Sequence, residues 1–170
     1  MDTALMFSCK TDQWATPQDF FDQLDSEFHF TLDPCADETN HKCDRYFTKE
    51  QDGLQQDWSG EVVFCNPPYG RNVGKWVEKC FNEVYAGGCK CAVLLLFANT
   101  DTKWFHDYVY NKAEIRFIKG RLKFGDMKYD APKPSMVVVF RKPGWGQSSN
   151  FSDHVQGFRT TIRSVDKEDL

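Results

Sequence analysis

Two rhythms of apolar and polar positions alternate along this chain. Phe20, Phe21, Leu24 and Phe28 recur at helical spacing. Thr16-Pro17-Gln18-Asp19 just before them reads as a helix start, with Thr16 as N-cap, Pro17 in the first turn and Asp19 three residues after the cap. Phe30 to Asp33 reads as a short strand that Pro34 ends, and Val62 to Cys65 as a second, buried one. Residues 36–60 are polar and poorly periodic, which predicts a short helix and loops. Lys75 to Ala86 is amphipathic, with Trp76, Val77, Cys80 and Val84 on one face, and Gly87-Gly88 stops it. Cys91 to Phe97 is a nearly continuous apolar run, the pattern of a strand buried on both faces. Lys103 to Tyr110 predicts a short helix and Ala113 to Ile118 a strand. Leu122 to Phe124 and Met136 to Phe140 predict two more strands, joined by a polar, proline-bearing loop. From Gly144 the chain turns polar, with a short helix expected near His154 to Arg163.

Strand, helix, strand, helix, strand with a hairpin-like end predicts an α/β fold, an open and mostly parallel sheet with helices on both faces. At 170 residues the chain has room for one domain, placed over 1–143 and followed by a tail over 144–170. In such sheets ligands bind outside the carboxyl ends of the strands. Asp33-Pro34-Cys35-Ala36 and Asn66-Pro67-Pro68-Tyr69 both follow predicted strands, so the two loops are expected to face one crevice.

The second of these loops carries the clearest chemistry. Pro67 and Pro68 remove two backbone donors and fix two φ angles, which makes a stiff loop at a strand end. Such a loop holds an amide, exposed carbonyls and an aromatic ring in fixed relation, as gripping a flat ring with an exocyclic amine requires. Asn66 offers its side-chain carbonyl and Pro67 its backbone carbonyl, two acceptors for the two hydrogens of an amine. Tyr69 offers a ring face, and stacking on a base contributes about 1–3 kcal/mol. Asp33, at the end of the first strand, is an acid able to accept hydrogen bonds or offset a positive ligand charge.

Charge changes the picture of the partner. The net charge of −4 argues against nucleic acid, but its distribution does not. Residues 1–60 hold 13 acidic and 4 basic side chains, whereas residues 112–133 hold seven basic and three acidic ones. Two chemically distinct surfaces follow. Seven cysteines, an odd number and several within apolar segments, suit reduced thiols in a cytoplasmic protein. The Cys35/His41/Cys43 and Cys89/Cys91 groups lack a repeated zinc spacing, so no metal is expected. No apolar run reaches the roughly 18 residues of a membrane span, and the start of the chain lacks the pattern of a signal peptide.

Trp14-Ala15-Thr16-Pro17, Asp33-Pro34-Cys35-Ala36, Asn66-Pro67-Pro68-Tyr69 and Gly120-Arg121-Leu122-Lys123-Phe124, in this order, resemble the phage-type DNA N-6-adenine methyltransferases. The resemblance covers roughly residues 12–141. It implies a Rossmann-like methyltransferase sheet with an antiparallel last strand. It also implies S-adenosylmethionine as cofactor, DNA as partner and the cytoplasm of a phage host as location. Asn66, Pro67, Pro68 and Tyr69 are then the catalytic loop. Trp14, Thr16 and Pro17 match the segment that closes over the cofactor, and Asp33, Cys35 and Ala36 its binding loop, without the glycines many methyltransferases have there. By the same resemblance Asp57 and Trp58 contact the cofactor adenine and Asp44 the ribose. Arg71 and Lys75 beside the catalytic loop, and Arg121 and Lys123 in the basic stretch, are candidate phosphate contacts. An adenine in RNA or a glutamine amide in a protein would suit the same four residues, and a catalytically inactive relic is a third reading. Target choice would fall to residues 39–56 and 125–135.

Overall fold

The computed structural model describes residues 14–125, 130–145 and 161–167. Helix α1 (Gln18–Phe28) buries Phe20, Phe21, Leu24 and Phe28, the four positions its periodicity selects. It ends at His29 in the left-handed region, whose N–H bonds the Asp25 carbonyl. Strands β1 (Leu32–Asp33), β2 (Arg45–Tyr46), β3 (Val62–Cys65) and β4 (Cys91–Phe97) run parallel. Helix α2 (Val73–Tyr85) links β3 to β4. Strands β5 (Glu114–Ile118), β6 (Ser135–Arg141) and β7 (Ile162–Val165) complete a sheet of order β2-β1-β3-β4-β6-β5-β7. β6 is antiparallel to both neighbours, while β7 runs parallel to β5.

Side-chain alternation splits the core into two layers. Val63, Cys65, Ala92, Leu94 and Leu96 point toward α2 and pack with its Trp76, Val77, Cys80 and Val84. Val62, Phe64, Cys91, Val93 and Leu95 point to the other face, against the aromatic stripe of α1. The continuous apolar run of β4 is therefore a strand with no polar side, as expected of a sheet covered on both faces.

Several local expectations change. Thr16 is not a helix cap: Pro17 holds that position without a side-chain cap bond, and the Thr16 hydroxyl is used elsewhere. Within 36–60 the structure has strand β2 and a 3₁₀ turn at Gly53–Gln55. Leu122 to Phe124 alternates buried and exposed like a strand but joins no sheet. Its flanking groups instead bond across loops, Gly125 N–H to the Ala15 carbonyl and Ala131 N–H to the Leu122 carbonyl. The expected helix at 103–110 contains a π-helical turn at Phe105–Val109, closed by a bond from Tyr110 N–H to the Phe105 carbonyl. The antiparallel strand is β6, and the last strand in the chain is β7. Residues 162 and 163, placed by sequence at the end of a tail helix, belong instead to that edge strand, and residues 154–160 lie outside the described residues.

Toward the amino ends of the parallel strands lies an ion network around Arg116. This side chain is 1% exposed; it donates to both carboxylate oxygens of Glu27 at 2.6 Å and from Nε to Glu114 at 2.7 Å. Arg141 and Arg163 also donate to Glu114, at 2.6 and 3.0 Å. Burial opposes the Glu114 carboxylate, but the three guanidinium groups hold its pKa below the usual range. Arg116 thus leaves the basic surface predicted for 112–133 and joins α1 to β5. Arg116→Ala should lower the unfolding free energy by about 3–5 kcal/mol, because it strands partly buried carboxylates. Urea denaturation measures this, and a reduction under about 1 kcal/mol would contradict the role assigned to the network.

Candidate active site

The order of the sheet reverses between β1 and β3. The chain runs outward from β1 to β2, then returns to the other side of β1 and proceeds through β3 and β4. The loops after β1 and β3 therefore lie side by side at the carboxyl ends, where a crevice opens. Leu32 pairs with Val63, which aligns residues 33–36 with residues 64–67.

Asn66 is the first residue after β3. Its Nδ2 donates to the Trp14 carbonyl at 2.5 Å and to Thr16 Oγ1 at 2.9 Å. A carbonyl only accepts, so this pair fixes which way the amide points. Both amide hydrogens are thereby committed, while Asn66 Oδ1 is buried and has no hydrogen-bond partner among the described residues. Leaving such an acceptor unpaired costs about 1–3 kcal/mol. The arrangement offers one fixed acceptor to a donor from outside the chain. Pro67 is buried and Pro68 half-buried behind it.

Tyr69 is pinned at both ends of its ring. Its hydroxyl donates to the Leu95 carbonyl at 3.2 Å, and its ring stacks on Phe97 with centroids 4.2 Å apart. Burial pushes the hydroxyl pKa up, so this donor stays protonated. Trp14 and Phe124 complete an aromatic group around Phe97, with edge-on contacts at 5.6–6.3 Å. Phe97 and Phe124 were not among the sequence-predicted site residues. The signal for Phe97 was its position at the carboxyl end of the strand beside the catalytic loop.

Asp33 is 5% exposed, and its carboxylate accepts from the backbone N–H groups of Lys42 at 3.1 Å and Cys35 at 3.4 Å. Burial raises its pKa to about 6 against the lowering effect of those two bonds. Cys35 faces Asn66 from the first loop: its Sγ lies 3.2 Å from the Asn66 carbonyl oxygen and 3.7 Å from Cys65 Sγ. Burial raises the pKa of both thiols. The cleft between the loops is lined by Trp14, Thr16, Asp33, Cys35 and Asn66. Ala15, Asn40, Lys42 and Phe64 line it as well. The part of Lys42 comes from its backbone and left no mark in the sequence pattern.

The other predicted residues stand apart from this cleft or at its edges. Ala36 is buried in the first loop and bonds from its N–H to the Phe47 carbonyl at 3.0 Å, while the Pro17 carbonyl accepts the first bond of α1. Asp44 is exposed beside an outer groove with Asp37, Glu38 and Tyr46. Asp57 is an exposed turn acid that accepts from the backbone and hydroxyl of Ser59. Trp58 is fully buried, stacks on Trp76 and donates from Nε1 to the Gly53 carbonyl at 3.0 Å. Asp57 and Trp58 are not in the lining of this cleft. Arg71, after the Asn66–Tyr69 loop, and Lys75, in the first turn of α2, are exposed. Arg121 is half-buried and Lys123 exposed on the segment that returns from β5 to Ala15. Among the described residues no three His, Cys, Asp or Glu side chains group to hold a metal, and no described helix is long and apolar enough to cross a membrane.

The fit of a positively charged, adenine-bearing methyl donor rests on the donor set. A buried acid, Asp33, lines the cleft together with Cys35 and the aromatic residues Trp14 and Phe64.

A family model described as "DNA N-6-adenine-methyltransferase (Dam)" matches residues 5–165. The chain is 36% identical over 137 residues to a DNA N-6-adenine-methyltransferase of Haemophilus phage HP1 (strain HP1c1), covering 76% of this chain and 78% of that protein. It is 30% identical over 113 residues to a protein of the same description from Escherichia phage T1, covering 65% of this chain and 46% of the phage T1 protein.

The raised Asp33 pKa carries a stability signature. A folded pKa of about 6, above the ordinary 3.8, means that the folded state holds this proton more tightly than the unfolded chain does. The corresponding stability is present below about pH 4 and is lost as the pH rises through about 6, by on the order of 3 kcal/mol. Unfolding free energies of wild type and Asp33→Asn should therefore shift relative to each other by that order, in favour of the variant, between about pH 4 and about pH 7. A difference that does not change with pH would contradict the burial of a titrating acid here.

Proposed function

The chain belongs to the DNA N-6-adenine-methyltransferase (Dam) family and is an enzyme of that class, and on that premise we propose how its crevice performs the transfer. The substrate is the exocyclic N6 amine of an adenine in DNA, and the methyl donor is S-adenosylmethionine. The observation that carries this reading is the Asn66 amide, whose two hydrogens are committed within the chain while its buried oxygen has no partner.

The adenine amine is a poor nucleophile because its lone pair is delocalised into the ring. Asn66 Oδ1 and the Pro67 carbonyl accept its two hydrogens and favour a more tetrahedral nitrogen with a localised lone pair. The base stacks on the face of Tyr69 that Phe97 does not cover. The Leu95 carbonyl and Phe97 keep this ring from turning, so the amine is presented in one orientation. Trp14 and Thr16 hold the amide itself and make the segment before α1 part of the active site. The cofactor supplies an activated methyl group on a positively charged sulfur, so that no covalent enzyme intermediate is needed. Asp33 and Cys35 line its side of the crevice, and above about pH 6 Asp33 adds a negative charge facing that cation. An adenine within a duplex must leave the stack to reach Asn66. Arg71, Lys75, Arg121 and Lys123 meet the phosphates that flank it, which gives affinity without sequence information.

Labelled S-adenosylmethionine supplied in parallel with DNA, RNA and bulk protein should label the adenine N6 of DNA alone. Asn66→Ala should reduce transfer by about a thousandfold or more while retaining cofactor binding. Transfer by that variant at the wild-type rate would sink the mechanism, and label in RNA or protein would move the substrate to that polymer. Replacing Arg71 and Lys75 together by alanine should weaken DNA binding across sequences. It should also flatten the dependence of log affinity on log salt by about one unit for each phosphate that is no longer neutralised. An unchanged slope would remove both residues from the interface.

A further inference from the structure

We propose that Gly53 and Trp58 are positioning residues that set the height of the Pro34-Cys35 loop at the crevice, an inference that rests on the cofactor-side role given to that loop above. The 3₁₀ turn Gly53–Gln55 presses against the loop from below. A Cβ built on Gly53 would lie 1.9 Å from the Pro34 carbonyl oxygen and 3.0 Å from its carbon, with Trp76 Cη2 at 3.2 Å on another side. The nearest obstacle is backbone, which cannot swing away as a side-chain end can. Any larger residue must therefore lift Pro34-Cys35, or push its own turn outward. Gly53 is buried and its φ lies outside the left-handed region, so close approach, and not backbone conformation, is what demands glycine here.

The turn is held in place by Trp58. Its Nε1 donates to the Gly53 carbonyl at 3.0 Å, and its ring stacks on Trp76 at 6.5 Å with an interplanar angle of 19°. Lys79 of α2 sits 5.2 Å over the Trp58 ring and bonds the Gln56 carbonyl at 2.9 Å. On its far side the first loop is tied to the chain after β2, through Phe47 N–H to the Asp33 carbonyl and Ala36 N–H to the Phe47 carbonyl, both 3.0 Å. Contact then passes to the catalytic loop through Cys35 Sγ, which lies 3.2 Å from the Asn66 carbonyl oxygen. A continuous series of contacts thus runs from α2 through Trp58 and Gly53 to Cys35 and Asn66. Trp58 serves the crevice without touching anything bound in it.

The test uses the full chain, with Gly53→Ala and Trp58→Phe compared with wild type. Gly53→Ala should raise the Kd and KM for S-adenosylmethionine by about ten- to a hundredfold, since displacements near 1 Å have effects of that size. The KM for DNA should stay near wild type. Trp58→Phe keeps an aromatic ring and removes the Nε1 donor, so it should shift the same constants in the same direction by a smaller factor. It also serves if Gly53→Ala fails to fold. A second readout needs no cofactor: alkylation of Cys35 by iodoacetamide, resolved from the other cysteines by peptide mass spectrometry, should be faster in both variants. A purely structural role would lower the melting temperature while leaving the cofactor constants and the Cys35 rate at wild-type values, and that result overturns the proposal. If wild type itself fails to bind S-adenosylmethionine, the function assigned above falls. The Cys35 rates then decide the positioning claim alone: unchanged rates refute it and faster rates sustain it.

Discussion

The pairing of β1 with β3 is the constraint on which the rest of the site depends. These two strands are short, at two and four residues, and carry little of the sheet's own stability. They are nevertheless the point where the strand order reverses, so their carboxyl ends lead into two loops that flank one cleft. The register Leu32 to Val63 places Cys35 level with Asn66 and Asp33 two residues earlier, level with Phe64. A slip of one residue would turn Asp33 to the other face of the sheet and separate it from the amide. The acid and the amide inherit their relation from that register.

The two ends of the parallel strands have different chemistry. At the amino ends Arg116, Glu27, Glu114, Arg141 and Arg163 form a charge network with short contacts. At the carboxyl ends the groups are held short of satisfaction, with an amide oxygen unpaired and an acid whose ionisation is opposed by burial. The segment from Gly120 to Gly125 returns to the start of the described chain without joining the sheet, through the bond from Gly125 N–H to the Ala15 carbonyl.

Much of this was legible in the sequence, for identifiable reasons. The long apolar run of β4, the stripe of α1 and the face of α2 are period signals, and each became the element its period names. Placing Asp33 and Asn66 at one crevice needed only the rule that ligands meet the carboxyl ends of parallel strands. What sequence could not carry was contact that no local pattern marks. The Thr16 hydroxyl reads as a helix cap by local pattern, yet it meets Asn66 fifty residues away. Trp58 beside an acid resembles a ligand-contacting pair, but its indole N–H is spent on the Gly53 carbonyl. Leu122 to Phe124 has the alternation of a strand and no partner strand, because its neighbours bond to Ala15 and Ala131 instead. For Thr16 and for the segment ending at Gly125 a partner distant in sequence overrode a correct local preference.

Pro67 has one more effect on Asn66, on the timescale of protein ageing. Asparagine loses its amide spontaneously when the backbone nitrogen of the next residue attacks the side-chain carbonyl and closes a five-membered imide. Proline has no N–H and cannot form that neutral ring. An amide converted to a carboxylate here would set a negative charge against the Trp14 carbonyl and remove both donors that now fix its orientation. The residue that stiffens the loop therefore also shields the amide beside it from chemical decay, and the site is protected from a form of damage that no refolding could reverse.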